Sequence, residues 1–318
     1  MQRFIIKRLL YTFPTLILVL FTVFSFMHLV PGDPAQVMLG VGATDAEIAA
    51  LRAKLGLDRP LTIQFVRYLK GVLKGDLGDS FAYRKEVAQI VLERFPATLE
   101  LTFAAMILAC LIGIPLGIAA ATRQRSMIDV SCQVMALTGV SFPVFWLAIQ
   151  LMYLFAVKLQ LFPLSGRGGP IYTLNGLTHI VLPAIALSSV MLPSTMRLTR
   201  SSMLEVLNQE YIRVARSKGL REFFVVYKHA LKNAVIPVIT NVGLQFGMLL
   251  GGAFLTESVF AWPGIGQLTV NAIFRRDFPV VQGVILITAF SFIILNIIVD
   301  LSYAFFDPRV RREMSKNV

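Results

Sequence analysis

The chain has 318 residues, of which 56% are hydrophobic and only 15% are charged, and its mean hydropathy is +0.71. A soluble domain would carry about 25% charged residues, so an ordinary cytosolic enzyme is excluded, and the apolar content excludes a disordered chain. The net charge of +12 would suggest nucleic acid in a soluble protein, but in a membrane protein it is first compared with topology.

Six long stretches without Asp, Glu, Lys or Arg can each cross the hydrocarbon core, which is about 30 Å thick, as a helix. They are Leu9–Gly32, Leu101–Thr122, Val130–Val157, Gly168–Met196, Asn233–Thr256 and Phe278–Val299. The fourth stretch begins with polar, glycine-rich sequence, so we expect its helix to begin near His179. A shorter stretch, Ser258–Phe274, is interrupted by Pro263, Gly264 and Gly266, which predicts an outside loop that dips toward the pathway. The expected fold is an all-α integral membrane protein with six transmembrane helices.

The first stretch is predicted to be a retained span. It is too long for the apolar region of a signal peptide, and Pro31-Gly32-Asp33-Pro34 lacks a small-x-small cleavage pattern. Cys110 and Cys132 give neither a disulfide framework nor a metal cluster. The three histidines lack ligand spacing, so no metal site is expected; they are His28, His179 and His229.

The distribution of lysine and arginine predicts the orientation. If the N-terminus is cytoplasmic, the two short outside loops hold only four basic residues, Lys158, Arg167, Arg275 and Arg276, and the inside segments hold many more. The first outside loop is long, and long loops are translocated largely regardless of charge. Both termini are therefore predicted to be cytoplasmic. The basic excess then records membrane orientation, and no nucleic-acid partner is expected.

The first outside segment, residues 31–96, is predicted to be a small helical subdomain. Thr44 and Glu47 form the pattern of a capping box, and a helical spacing of apolar residues follows over residues 48–56. A second helix is predicted over residues 63–73. Such a subdomain serves either as a structural cap or as a docking surface for a partner, and the sequence leaves both open.

The cytoplasmic segment between the fourth and fifth spans is predicted to hold two helices. The first runs from Glu205 to Lys218, and Gly219 fits its C-terminal cap because glycine accepts the left-handed conformation. The second runs from Arg221 toward Pro237. The apolar residues expected on one face of the first helix are Val206, Leu207, Tyr211, Val214 and Ala215.

The run Glu210–Gly219, followed by Ile236-Pro237, resembles the cytoplasmic coupling motif of bacterial ABC importer permeases. The family pattern has an acidic residue, small residues, a glycine and a distant Ile-x-Leu-Pro-like end. The matching positions are Glu210, Ala215, Gly219 and Ile236-Pro237. Tyr211 and Ile212 replace the alanines of the general pattern, a substitution that resembles the peptide and nickel branch.

Short motifs along nearly the whole chain support that branch. They are Pro31–Pro34, Leu55–Leu61, Gly75–Gly78, Gly139–Trp146, Glu257–Gly266, Arg276–Gln282 and Asp307–Arg311. Together they resemble the first permease of a dipeptide, oligopeptide or glutathione importer. The resemblance implies a type I-like architecture with residues 1–30 as the cytoplasmic N-terminus and first span, 31–96 as an outside insertion, and 97–318 as a five-span core containing the coupling segment 205–233.

The resemblance also implies the partners. These are a second homologous permease, ABC ATPase subunits, an extracytoplasmic solute-binding protein and the lipid of a bacterial inner membrane. The chain has no G-x-x-x-x-G-K-[ST] phosphate loop and neither H-E-x-x-H nor G-x-S-x-G, so it is expected to be no enzyme and to hold no cofactor, with ATP and magnesium bound by the ATPase. The residues expected to couple it to the ATPase are Glu210, Tyr211, Arg213, Ala215, Arg216, Gly219 and Pro237.

A second group of candidate residues lies at the outside end of the fifth span. Glu257, Trp262, Pro263, Gly264 and Gly266 are interpreted either as an external gate or docking surface, or as a turn with an interfacial Trp anchor. One acidic residue, Asp300, falls inside a predicted span. It is interpreted either as a gate on the pathway or as a polar contact that fixes helix packing.

The predicted function is the uptake of short peptides as one half of an ATP-driven pathway. Glutathione is the next substrate class, and nickel chelates or oligosaccharides are alternatives for the same kind of permease. An ion-coupled secondary carrier would need paired intramembrane charges or broken helices in two related halves. An intramembrane enzyme would need a nucleophile and base, or two acids, at matched depth. Neither pattern is evident in the sequence.

Overall fold

The computed structural model of the chain describes residues 14–25, 29, 34–40 and 42–306. This part of the chain is helical, with one isolated bridge between Asp79 and Glu86 and no β-strand. In chain order the helices are α1 (Pro14–Ser25), α2 (Pro34–Leu39), α3 (Asp45–Leu55), α4 (Leu61–Leu73), α5 (Val87–Thr122), α6 (Met127–Ser141), α7 (Val144–Lys158, π-helical from Met152), α8 (Leu174–Leu207), α9 (Glu210–Ser217), α10 (Glu222–Gly252, π-helical over Val225–Ala230), α11 (Phe254–Val259), α12 (Ile265–Phe274) and α13 (Phe278–Phe306).

Four helices in the described residues are long and apolar enough to cross a membrane: α5, α8, α10 and α13. They confirm the second, fourth, fifth and sixth predicted spans as helices. Of the first predicted span the structure describes α1 and Leu29, and the remainder lies outside the described residues. The fold is thus an all-α, multi-pass membrane fold, and the count of six spans stays a prediction.

The third predicted span is broken, which corrects the expectation of one continuous helix over Val130–Val157. Helices α6 and α7 meet at an angle of 99°. The break falls at Phe142, whose φ of −95° and ψ of 133° are extended, immediately before Pro143. The proline ring disfavours the helical conformation in the preceding residue, so the chain leaves α6 and restarts at Val144.

Helix α8 begins earlier and ends later than the sequence predicts. It begins at Leu174 rather than near His179, because the Thr173 hydroxyl accepts a hydrogen bond from the backbone N–H of Gly176 at 3.0 Å and caps the helix. It then continues to Leu207, beyond the end of the apolar stretch at Met196. Polarity marks where a helix leaves lipid, whereas the hydrogen-bonded helix itself can extend into water.

The two helices of the outside segment are confirmed. The Thr44 hydroxyl accepts from the backbone N–H of Glu47 and the Glu47 carboxylate accepts from the backbone N–H of Thr44, so the capping box is present. The backbone N–H of Thr44, and then its hydroxyl, donate to the Glu47 carboxylate and lower the pKa of Glu47. Helix α3 ends at Gly56, which is left-handed with φ of 70°, and α4 follows. Helix α5 runs without a break through residue 96, where the sequence analysis places the end of the outside segment; that division stays a prediction.

The core is organised around the contact between α5 and α8. A Cβ on Gly117 would lie 2.6 Å from Cβ of Thr199 and 2.7 Å from the carbonyl oxygen of Met196. A Cβ on Gly113 would lie 3.3 Å from the carbonyl oxygen of Leu192. These two glycines therefore let the backbones of α5 and α8 approach closely, as small residues do between membrane helices.

Candidate functional site

The inner candidate site, named for its predicted cytoplasmic side, is built on α9, the helix that carries the predicted coupling motif. The sequence predicts one helix from Glu205 to Lys218, but the structure ends α8 at Leu207 and begins α9 at Glu210. The Asn208 side chain donates to the carbonyl oxygen of Leu204 at 2.9 Å at this break. Asparagine competes well for such end carbonyls, so the predicted helix divides in two.

The buried face of α9 differs from the predicted one. Ile212 is fully buried and Ala215 is 8% exposed, whereas Tyr211 and Val214 are exposed at 43% and 51%. Ile212 and Ala215 pack into an inner cluster with side chains from α5, α8 and α10. Its other members are Ile118, Ala121, Met203, Val225, Val226, Ala230 and Ala234. The break after α8 changes the direction of α9, so the residues of α9 that pack in this cluster are Ile212 and Ala215.

The opposite face of α9 is available for a partner. Tyr211 and Val214 present apolar surface beside the exposed Arg213. The Tyr211 hydroxyl accepts a hydrogen bond of 2.7 Å from Nδ2 of Asn233, which ties this side chain to α10. Glu210 is also exposed, at the first position of α9. The exposed face of α9 is thus mixed in polarity, and the buried face of the same helix is packed against the inner cluster.

The end of α9 is fixed by a glycine and an ion pair. Gly219 has φ of 75°, which confirms the predicted left-handed cap, and no atom lies within 4 Å of where its Cβ would be. The Arg216 guanidinium donates to both oxygens of Glu222, at 2.7 and 3.2 Å, which raises the pKa of Arg216. Pro237 lies inside α10 and is exposed. Arg216 and Gly219 thus set the turn between α9 and α10.

The outer candidate site, named for its predicted outside position, is a buried carboxylate, that of Glu257 in α11. Its Oε1 accepts from the hydroxyl of Thr98 at 2.6 Å, and its Oε2 accepts from the backbone N–H of Gln267 at 2.9 Å. The backbone N–H of Ile265 donates to the Thr98 hydroxyl oxygen at 2.9 Å. Glu257 and Thr98 together therefore satisfy the free N–H groups at the start of α12, where the helix dipole also favours negative charge.

The predicted residues around Glu257 are brought together in the same turn. Trp262 is 1% exposed and its Nε1 donates to the carbonyl oxygen of Ala97 at 2.8 Å, so the indole lies inside the protein and not at the membrane surface. A Cβ on Gly266 would lie 2.7 Å from Cα of Phe254, and one on Gly264 would overlap the Glu257 carboxylate. Pro263 lies between Trp262 and Gly264 in this turn. The outside loop predicted over Ser258–Phe274 is in fact the end of α11, the turn and α12.

Two parts of the chain match the sequence patterns of known protein families, and together they cover nearly all of it. Residues 113–312 match "Binding-protein-dependent transport system inner membrane component". Residues 1–102 match the description of the corresponding N-terminal part, "Binding-prot-dependent transport system membrane comp, N-term". The chain belongs to this family.

Characterised relatives are similar along their full length. The dipeptide transport system permease protein DppB of Escherichia coli (strain K12) is 43% identical over 98% of this chain and 100% of its own. The glutathione transport system permease protein GsiC of Salmonella paratyphi A (strain ATCC 9150 / SARB42) is 44% identical over 98% of this chain and 99% of its own.

A solved structure of inward facing conformations of the MetNI methionine ABC transporter shares the fold. It has a TM-score of 0.56 at 17% sequence identity and covers 69% of this chain and 97% of that chain. At that identity the likeness supports the fold alone.

Sequence reasoning missed a second buried carboxylate in this permease, that of Asp277. Its oxygens accept from the Ser80 hydroxyl at 2.5 Å, from the backbone N–H of Ala82 at 3.0 Å and from that of Phe81 at 3.3 Å. Asp277 is fully buried, and it ties the loop before α5 to the start of α13. Asp277 lies in the short motif Arg276–Gln282, and Ser80 lies next to the motif Gly75–Gly78. These two motifs were the sequence features that could have indicated the contact.

Two bidentate ion pairs also went unpredicted. Arg200 of α8 donates to both oxygens of Asp129 at the start of α6, at 2.6 and 2.8 Å, and Asp129 is 2% exposed. Arg167 donates to both oxygens of Glu100 in α5, at 2.9 and 2.6 Å. Asp129 and Glu100 directly precede charge-free stretches, so the sequence placed them at span ends without naming their partners.

The last predicted site residue, Asp300, lies in α13, but its side chain falls outside the described part of the molecule. The motifs at residues 31–33 and 307–311 also lie outside it. Within the described residues no group of His, Cys, Asp or Glu is arranged to hold a metal ion.

A glycine-to-alanine pair tests the outer network. Gly264→Ala places a methyl group where the Glu257 carboxylate lies, so the cap of α12 is displaced and we expect a loss of about 1–3 kcal/mol of stability. The measurement is the Tm of the purified complex. Gly252→Ala is the matched control, because no atom lies within 4 Å of its Cβ position. An equal Tm for both variants would contradict the close contact.

Proposed function

We propose that this permease is the membrane-spanning subunit of an ATP-driven importer of short peptides and forms half of the translocation pathway. The observation that carries the proposal is the arrangement of α9. Its inner face, Ile212 and Ala215, is locked into the cluster with α5, α8 and α10, and its outer face, with Tyr211 and Val214, is exposed. Such a helix can transmit a push from a partner to three spans at once.

The mechanism follows from this packing. A partner ATPase would receive the exposed face of α9 in a groove, and closure of the ATPase dimer on ATP would displace the helix. Because Ile212 and Ala215 are buried against side chains of α5, α8 and α10, a rigid displacement of α9 moves these spans. ATP and magnesium would be bound by the ATPase, and this chain would supply the coupling surface and the pathway. No bond is made or broken by its own residues.

The partners follow from the same proposal. A second homologous permease would complete the pathway, one or two kinds of ABC ATPase would act from the cytoplasm, and an extracytoplasmic solute-binding protein would deliver the substrate. The family description, which names binding-protein-dependent transport and the inner membrane, supports this assignment. A role as a gate is also proposed for two sets of residues: at the outside end, Glu257, Trp262, Pro263, Gly264 and Gly266, and on the pathway, Asp300.

Short peptides are the proposed substrate class because the relatives cited above transport a dipeptide and glutathione, by their names. Both are amides of a few residues, so one pathway chemistry suits both. The test uses the chain purified with its second permease, ATPase and solute-binding protein and reconstituted in proteoliposomes. The complex is expected to accumulate radiolabelled dialanine or glutathione only when ATP is present on the side of the membrane where the ATPase lies. Accumulation driven by a proton gradient without ATP would contradict the proposal.

The cap of α9 offers a test of coupling. Gly219→Val forces a β-branched residue into a left-handed conformation, a strain of about 1–3 kcal/mol, so the turn after α9 should shift. We expect the stimulation of ATPase activity by the loaded binding protein, and uptake, to fall about tenfold or more.

Gly219→Asn is the matched control, since asparagine tolerates positive φ and the position has open space. It should retain most of the uptake and of the ATPase stimulation. Equal activity of the valine and asparagine variants would show that the left-handed cap is not needed for coupling.

The proposed orientation places both termini, α9 and the ATPase in the cytoplasm. A reporter that is active only in the cytoplasm, fused after Val318, is expected to be active, because the basic residues of the coupling segment keep that side inside. The same reporter inserted in the outside segment, at Gly75, should be inactive. The reverse pattern would overturn the orientation.

A further inference from the structure

A small polar cluster lies where α8 and α10 cross. The hydroxyl oxygen of Ser194 accepts a hydrogen bond from Nε2 of Gln245 at 2.6 Å and from Nδ2 of Asn241 at 3.2 Å. The Ser194 hydroxyl in turn lies 3.5 Å from the carbonyl oxygen of Met191 in its own helix. All three side chains are half-buried. Ser194, Asn241 and Gln245 are called the amide cluster below.

The amide cluster lies near the middle of the membrane-spanning part. Gly113 of α5 contacts α8 at Leu192 and Thr195, the turn that holds Ser194. Gly113 in turn lies close to the centre of the charge-free stretch Leu101–Thr122. At about 1.5 Å of rise per residue, both polar ends of that stretch are more than a helical turn away.

On α10 the two amides lie beside α8 and on a different side of the helix from its contacts with α5 and α13. On α10, Gly243 and Gly247 pack against Val299 and Phe292 of α13, and Phe246 packs on Phe103 of α5 with ring centroids 4.6 Å apart. At about 100° per residue, Asn241 and Gln245 lie roughly 100–160° around the helix from those three contacts. The same face continues to Met248, which is 72% exposed.

The amide cluster keeps unused hydrogen-bonding capacity. Each primary amide has one carbonyl acceptor and two N–H donors, and the structure uses one donor of Asn241 and one of Gln245. Within the described residues the two amide oxygens have no hydrogen-bond partner, and neither is among the buried atoms that lack one. The two amide oxygens can therefore accept hydrogen bonds from a molecule that lies against this face.

Lipid is a poor occupant of that face. An unpaired amide in hydrocarbon costs several kcal/mol in order of magnitude, and polar side chains at this depth almost always face protein or a water-filled cavity. The surrounding helix segments Leu174–Met196 and Asn233–Gly252 contain no Asp, Glu, Lys or Arg. The face is thus polar and uncharged, which suits a solute that carries neutral donors and acceptors.

We propose that Asn241 and Gln245, held by Ser194, form a contact site in the translocation pathway that hydrogen-bonds the peptide groups of the passing substrate. The inference rests on the proposed peptide transport. A carboxamide has the same donor and acceptor pair as a peptide group, so it can bind any short peptide through its backbone, whatever its side chains. A neutral site also binds weakly enough for the substrate to leave, and the flexible Met248 beside it adapts to different side chains.

Cysteine labelling of the assembled complex tests the site directly. With Cys110 and Cys132 replaced by alanine, Gln245→Cys and Asn241→Cys are expected to react with a membrane-impermeant, hydrophilic thiol reagent and to be protected by dialanine during turnover with the binding protein and ATP. Ile294→Cys is the matched control, because Ile294 lies at similar depth on the exposed apolar face of α13 and should not react. Absence of labelling at positions 241 and 245, as expected for a face against lipid or the second permease, overturns the proposal, and so does labelling without protection.

Uptake measurements give a second readout. Asn241→Leu and Gln245→Met keep the volume but remove the hydrogen bonds, so the maximal rate of dialanine uptake is expected to fall about three- to tenfold. The affinity of the binding protein for dialanine should not change, because the binding protein itself is not altered. Ser189→Ala is the control, since the Ser189 hydroxyl bonds only the Ala186 carbonyl oxygen of its own helix. Unchanged uptake in both amide variants overturns the proposal.

The two levels of the inference fail in different ways. If the unmodified complex imports neither dialanine nor glutathione, the peptide function fails, and this site fails with it. If the unmodified complex imports dialanine but positions 241 and 245 are unlabelled or unprotected, only the contact site is overturned.

Discussion

The close contact between α5 and α8 is the constraint on which the rest of the molecule depends. Gly113 and Gly117 let the two backbones approach, because a Cβ at Gly117 would collide with α8 and one at Gly113 would be in tight contact with it. At its outer end α5 carries Ala97 and Thr98, which bind the turn before α12, and at its inner end Ile118 packs in the cluster that holds α9. One helix therefore supports both candidate sites, and a displacement of α9 that preserves this packing carries α5 and α8 with it.

The two ends of the helical core differ in how much apolar surface they leave exposed. At the outer end the polar groups are satisfied within the chain: Glu257 caps α12 and Asp277 holds the loop around Ser80, and both carboxylates are fully buried. At the other end the charged groups are also paired, Arg200 with Asp129 and Arg216 with Glu222, but the apolar surface at Val214 is exposed. The amide cluster has two amide oxygens without a partner in the described residues. Buried polar groups are costly unless paired, so the paired networks suit a rigid scaffold. The exposed groups are the ones to which the proposals above assign a partner or a solute.

The elements that could be predicted are those whose cause is local. The capping box at Thr44 and the left-handed Gly219 depend on residues within one helical turn, so the sequence predicts them correctly. The long apolar helices follow from the thickness of the bilayer. The break at Phe142 was missed although Pro143 is visible in the sequence, because an apolar stretch of sufficient length indicates a span whether or not it is straight. The division of α8 from α9 was missed because polarity does not end a helix.

The sequence by itself determined the class of protein, the apolar helices, the charge distribution and the coupling motif. Only the tertiary structure decided which groups meet: Glu257 with Thr98, 159 positions apart, and Asp277 with Ser80, 197 positions apart. It also decided that Ile212 rather than Tyr211 is buried, and that the side chains of Asn241 and Gln245 both meet Ser194 of α8. The physical reason is range: periodicity and capping act within a turn or two of helix, whereas the partner of a buried polar group depends on how remote helices pack.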